Sequence, residues 1–245
     1  MKQYSIGMTT CSHRLEKYLK PLITEIKKQR PNIEIVLAIN GEHKKDFDEQ
    51  TRQEFLKFCQ EFPNIFPIFY PKFRGLARLW NLNMQFSSNR YMFFLEDDVI
   101  MFDGFFDEYE SILESTEGNF MINKGFPFFS FDREVLNKCN WFDERFIGHG
   151  FEDADIWAKY RRVINNTPCR IMDGENYHSF PNFNLTSIKH IEKIQGEVRL
   201  VNQRIETLHN RHNQFNNEVL DVVKNTQQVT QYPYEKFYWD NIDNL

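Results

Sequence analysis

Residues 91–99, Tyr91-Met92-Phe93-Phe94-Leu95-Glu96-Asp97-Asp98-Val99, run from an apolar stretch straight into three consecutive carboxylates. Aromatic and aliphatic residues in an unbroken row read as a buried strand, of the kind found inside a parallel sheet. Three adjacent acids at its end repel one another, and only solvent or a cation keeps them apart. A divalent metal does this most economically, because hard carboxylate oxygens suit Mg²⁺ or Mn²⁺, ions that commonly bridge protein carboxylates to phosphates. The other reading of the same residues is a solvated acidic loop after a strand.

Upstream of this stretch, strand and helix patterns alternate. Residues 3–9 read as a first strand. Leu15, Leu19, Leu22, Ile23 and Ile26 then recur at helical spacing until Arg30-Pro31 stops the helix. Residues 33–39 form a second buried strand closed by Asn40-Gly41, and a helical stretch carrying Phe47, Phe55 and Phe58 follows. Residues 65–69 give a short strand whose internal Pro67 places it at an edge or a bulge. Residues 76–86 read as the helix that leads back to the acidic stretch. This order predicts an α/β fold with right-handed crossovers and a mainly parallel sheet covered by helices on both faces. Ligands of such sheets sit at the carboxyl ends of the strands, where Thr9-Thr10, Asn40 and Glu96-Asp97-Asp98 all fall.

A chain of 245 residues holds one large domain, or one domain with an appendage, and can bury a sizeable core. Its net charge of -5 argues against nucleic acid as the main partner, since phosphate-backbone binding needs a basic face. No apolar run reaches the roughly 20 residues of a membrane span, and the first residues lack the apolar core of a signal peptide. Cys11, Cys59, Cys139 and Cys169 show no paired spacing. Thiols in a reducing compartment are therefore expected, and with them a soluble, cytoplasmic protein.

Further along, residues 126–131 read as a strand and 132–139 as a short helix. There follows a stretch with Trp141, the loop Gly148-His149-Gly150, and Phe151-Glu152-Asp153-Ala154-Asp155. The glycines permit a tight loop with close backbone approach. Glu152 and Asp153 fall in the first turn of a helix continuing through Ile156, Trp157, Tyr160 and Val163. Acids there are favourable on helix-dipole grounds alone; the functional reading is a general base presented at a rigid helix start.

Four features, in this order, resemble the nucleotide-sugar glycosyltransferases of the GT-A fold, particularly the large inverting family 2 and its neighbours. Residues 4–11 with Arg14 are similar to the family's first strand and its nucleotide-contacting end. Gly75-Leu76-Ala77-Arg78-Leu79-Trp80-Asn81 resembles its glycine-to-asparagine helix start. Glu96-Asp97-Asp98 resembles its DxD motif, and residues 148–155 resemble its acceptor-binding Glu-Asp signature. The resemblance covers residues 1–185, the expected catalytic domain. It implies that Asp98 holds the metal, Mn²⁺ or Mg²⁺, while Glu96 and Asp97 face ribose and sugar. Thr9, Arg14, Arg78 and Asn81 would contact the donor, and Asn40 would sit at the nucleotide base. The family usually has Asp at that last position, and this departure leaves the choice of base open; the resemblance implies a nucleotide-sugar donor, UDP-sugar favoured and GDP-sugar possible. It further implies Asp153 as the catalytic base, Glu152 and Asp155 as acceptor-binding groups, and His178 as a second metal ligand. Trp141 is the stacking candidate for the acceptor, a glycan, lipid-linked saccharide or protein. One base and no evident carboxylate nucleophile favour inversion.

From residue 186 the character changes. Ile191, Ile194, Val198, Val201, Ile205, Leu208, His212, Phe215, Val219 and Val222 keep 3-4 spacing, a heptad seam that has to be covered. A C-terminal helical extension over 186–245 is expected, making a homo-oligomer through residues 188–223, or else folding back as two helices. The aromatic tail over 232–240 is expected to dock on the body of this subunit or a neighbour, or else to contact acceptor or a membrane surface. Two other function classes compete with a transferase. A nucleotidyltransferase would carry a Gly-rich, basic phosphate loop after the first strand, which Thr10-Cys11-Ser12-His13-Arg14 is not. A catalytically silent nucleotide-sugar-binding or assembly module organised by the C-terminal helix stays open.

Overall fold

The computed structural model describes residues 2–41, 47–123, 125–144, 152–164 and 181–191. These fall into two compact units. The first takes 1–74, 79–137 and 177–191, and the second takes 75–78, 138–176 and 192–245.

The first unit is built on a seven-stranded sheet in the order β3-β2-β1-β4-β7-β6-β8. Its strands are β1 (Tyr4–Cys11), β2 (Glu34–Asn40), β3 (Ile65–Tyr70), β4 (Tyr91–Glu96), β6 (Phe120–Ile122), β7 (Gly125–Asp132) and β8 (Asn182–Phe183). The first four are parallel, β7 runs antiparallel to both β4 and β6, and β8 is parallel to β6. The expected mainly parallel, helix-connected sheet is present. Ile35, Val36, Leu37, Ala38 and Ile39 of β2 are fully buried, as an all-apolar strand inside a parallel sheet has to be. Pro67 lies in β3, the outer strand, where a missing N–H costs no ladder hydrogen bond.

Connecting helices follow local signals. In α1 (Lys20–Gln29) a proline stands in the first turn, where its missing N–H is tolerated. The helix expected from Leu15 starts differently: Ser12–Arg14 is a 3-10 turn and Leu15–Leu19 a π-helical turn. Next, α2 (Glu49–Cys59) is capped by Asp48, which accepts from Thr51 N–H at 2.8 Å. That cap leaves Phe47 outside the helix, edge-on to Phe69. Then α3 (Leu76–Phe86) precedes β4, and Asn83, fully buried, donates to the Met8 carbonyl of β1 at 3.1 Å. Gly41 has its N–H on the Tyr70 carbonyl, and a Cβ there would lie 1.9 Å from the Pro71 oxygen, so only glycine fits.

The segment after the acids was not read in advance. It makes β5 (Val99–Met101) and α4 (Phe105–Ser115), and β5 pairs antiparallel with β9 (Ile188–His190). This corrects the start of the proposed assembly helix, because residues 188–190 are strand. An aromatic core of Phe93, Phe105, Tyr109 and Phe120 lies under α4, and Phe94 stacks on Phe129 at 4.5 Å. In the second unit α6 (Glu152–Ile164) begins where the Glu-Asp signature was placed. The described part of α5 (Arg133–Lys138) links the two units in sequence. No helix among the described residues is long and apolar enough to cross a membrane.

Candidate active site

β1 and β4 lie side by side in parallel register, with Thr9 opposite Glu96, so their carboxyl ends bring Thr10 and the acidic run together. Asp97 and Asp98 are buried, at 2 % and 6 % exposure, while Glu96 is half-buried. The cation that holds this pair is Arg14. Its Nη2 lies 2.9 Å from Asp97 Oδ1 and 2.9 Å from Asp98 Oδ2. Thr10 Oγ1 donates to the other Asp97 oxygen at 2.5 Å. The guanidinium also stacks over the Tyr18 ring at 4.6 Å, an arrangement set up by the 3-10 and π-helical turns after β1.

Electrostatics follow from burial. Loss of water raises the Asp97 carboxyl to about 6, against the lowering pull of Arg14 and Thr10, with Asp98 adding to the rise. For Arg14, burial opposes the charge, but the two aspartates outweigh it and its proton is held more tightly than usual. The backbone of this turn is pinned as well. Ile191 N–H donates to the Asp98 carbonyl at 2.9 Å, and Phe102 N–H to the Ser187 carbonyl at 2.8 Å.

The geometry of the donor set fits a divalent ion. Two hard carboxylates already converge on one positively charged nitrogen, so they can share a single cation, as Mg²⁺ or Mn²⁺ requires. Among the described residues no group of three His, Cys, Asp or Glu side chains forms a metal cage, and His178 lies outside the described residues. Asn40, expected at the nucleotide base, holds the Arg74 main chain. It donates to the carbonyl at 2.9 Å and accepts from the N–H at 2.8 Å. Asn81 is fully buried and Thr9 nearly so.

In the second unit Arg78 Nη1 pairs with buried Glu144 at 2.9 Å. Glu152 and Asp155 are buried, Asp155 facing Lys159 at 2.6 Å one helical turn on. Burial raises the Asp155 carboxyl, with Lys159 pulling the other way and Asp143 adding to the rise. Asp153 is half-buried, the most exposed of the three acids. Trp141 follows Asn140 in the left-handed region, at φ 64° and 59°, and its carbonyl accepts from Lys159 at 3.1 Å. Two consecutive non-glycine residues there are a local strain that packing has to hold. The loop over 145–151 lies outside the described residues.

Sequence reasoning gave no site role to Tyr18, Glu144 or Lys159, and read Ile191 only as the first position of the heptad seam, not as the backbone partner of Asp98. Only Lys159 had a local signal, its spacing of four from Asp155 on one helix.

Comparison with known proteins is consistent with this geometry. Residues 5–122 match the family Glycosyl transferase family 2. Three solved structures from S. aureus resemble the chain: TarS 1-349 in complex with UDP, TarS 1-349, and TarS. Their TM-scores are 0.51, 0.51 and 0.50, at 12, 12 and 11 % identity. The alignments cover 64, 64 and 69 % of this chain and 55, 55 and 41 % of theirs. The chain thus spans little more than half of the shorter TarS structures, and at such identity the likeness is one of fold. No curated protein matches the sequence. Residues 5–122, which take in all but the first residue of β1, strands β2 to β4, the acid turn and the first four helices, thus carry a likeness to glycosyltransferase family 2, and the sheet built on them is of the GT-A-like fold.

Proposed function

We propose that this protein moves a sugar from a nucleoside diphosphate sugar to a hydroxyl of a glycan, lipid-linked or protein acceptor, with metal dependence and inversion. The observation that carries the reading is the convergence of Asp97 and Asp98 on one cation, at the carboxyl end of β4 beside β1. UDP is the favoured nucleotide, in keeping with the UDP bound to the TarS structure of similar fold.

Asp98 would hold Mn²⁺ or Mg²⁺, with His178 as a further ligand. Such an ion supplies Lewis-acid stabilisation of the charge that develops on the departing diphosphate. Glu96 and Asp97 face ribose and sugar, and Thr9, Arg14, Arg78 and Asn81 line the donor. Asn40 acts through the Arg74 segment that its amide fixes. Asp153 accepts the acceptor hydroxyl proton as that oxygen attacks the anomeric carbon and the sugar–phosphate bond breaks. A general base of this kind contributes typically 10² to 10⁴-fold. Glu152, Asp155 and Trp141 shape the acceptor side, the two buried acids by holding the start of α6. Cys11, Cys59 and Cys139 stand as thiols, which suits a reducing compartment, and we place the enzyme in the cytoplasm.

The test is donor hydrolysis by the purified full chain with UDP-, GDP- and dTDP-sugars, with Mn²⁺ or with chelator. One donor, UDP-linked, is expected to release its nucleotide only with metal, and Asp98→Ala to abolish the release. Asp153→Asn is expected to spare UDP binding while lowering transfer to an acceptor about 10² to 10⁴-fold. Absence of nucleotide binding by the wild type, in calorimetry with UDP and GDP, would remove the transferase reading.

A further inference from the structure

We propose that Arg14 is an exchange latch: its guanidinium serves Asp97 and Asp98 as an internal counter-cation until metal and donor arrive together. The metal, held by Asp98, then supplies the positive charge beside the acid pair and the guanidinium passes to the diphosphate. The inference rests on the metal-dependent reading above and deepens it.

Three observations carry it. One nitrogen of Arg14 occupies the point on which both acids converge, 2.9 Å from an oxygen of each. A metal ion at those oxygens would meet a positive charge already in place, so it enters by displacement. Secondly, the acids are buried, and a buried carboxylate pair without any cation is strongly disfavoured. The exchange therefore leaves no stage at which both cations are absent. Thirdly, the latched position leaves part of Arg14's capacity unused. Its Nε–H is buried without a hydrogen-bond partner among the described residues. A guanidinium fork with an idle donor matches a diphosphate, which takes two parallel N–H···O bonds.

The surroundings suit a group that changes partners. Arg14 ends a three-residue 3-10 turn and is about a quarter exposed, with Tyr18 beneath it as an aromatic rest. Thr10 keeps its bond to Asp97 whichever cation is present, so the carboxylate stays oriented during the exchange. Metal alone has to displace Arg14 with nothing to receive it. Metal with a nucleoside diphosphate offers the guanidinium a new anion. Free metal should accordingly bind weakly and be positively coupled to the nucleotide.

The test titrates Mn²⁺ into the full chain, following unbound Mn²⁺ by its electron paramagnetic resonance signal, with and without UDP. Arg14→Gln is expected to bind Mn²⁺ alone about tenfold more tightly than wild type and to lose most of the tightening that UDP gives. Arg14→Gln strips a buried acid pair of its partner and can fail to fold, so Tyr18→Leu serves as a second variant with the arginine and both acids intact. It should shift Mn²⁺ affinity the same way by roughly two- to fivefold. Unchanged or weaker Mn²⁺ binding in these variants, while the wild type binds Mn²⁺ with UDP, would overturn the latch and leave the metal-dependent reading standing. A wild type that binds no Mn²⁺ even with UDP would overturn both.

Discussion

Single residues here are governed by what burial does to their charge. Cys59 and Cys139 are buried apolar thiols, each pushed up to about 12 by loss of water, whereas Cys11 is half-buried at the end of β1. Since the thiolate is the nucleophile, iodoacetamide at pH 8 is expected to alkylate Cys11 ahead of Cys59 and Cys139, reaching those two only after denaturation, as read by peptide mapping. The acid run shows how far the sequence alone carries at this scale. That Glu96, Asp97 and Asp98 call for either solvent or a cation was legible, because like charges in a row at a strand end repel one another. That Arg14 supplies one was not, because Arg14 comes from a different strand end and only the parallel register of β1 and β4 makes them neighbours. Asn40 fell the same way. Its place at the end of β2 was legible, but its pairing with the Arg74 main chain depends on a loop with no periodic signal.

Elements are tied to one another by a few polar side chains. Glu34, at the start of β2, accepts from Ser5 Oγ of β1 at 2.6 Å and from the N–H and Oγ of Ser88, in the turn between α3 and β4, at 2.8 and 2.5 Å. Burial works to raise its carboxyl, but the bonds from Ser5 and Ser88 prevail and hold it below its ordinary value. A carboxyl lowered on folding stabilises above its unfolded pKa and loses that contribution as pH falls through the folded one. Glu34→Gln is therefore expected to cost about 1–2 kcal/mol at pH 7, with a gap that narrows below about pH 4, measured by urea unfolding at both pH values. At this scale the sequence was most readable where one period ran unbroken. The helix over residues 76–86 and the edge placement of Pro67 follow from spacing and from proline chemistry. The antiparallel sense of β7 and the pairing of β5 with β9 were not readable, since a short apolar strand carries no mark of which partner it takes or in which direction.

For the whole molecule, the alternation of strand and helix made the fold class legible, and two of the family-like motifs, the end of β1 and the acid run after β4, lie where an α/β sheet gathers its ligands. Beyond Ile191, the heptad seam over residues 194–222 and the aromatic tail lie outside the described residues. We propose that the seam assembles the chain. The full-length protein is then expected to sediment as an oligomer, and Val201→Asp with Ile205→Asp, placing charges on the seam, to give a monomer in sedimentation equilibrium. One contact described above has a bearing on time as well as on place. The carbonyl of Asp98 is held by the N–H of Ile191, through a ribbon whose second strand begins at Ile188. A ribosome delivers residue 98 well before residue 191, and domains form as their residues emerge. The acid turn therefore acquires this backbone partner only after about ninety further residues have been made, so strands β1 to β4 are available to pair before the turn that ends β4 is pinned.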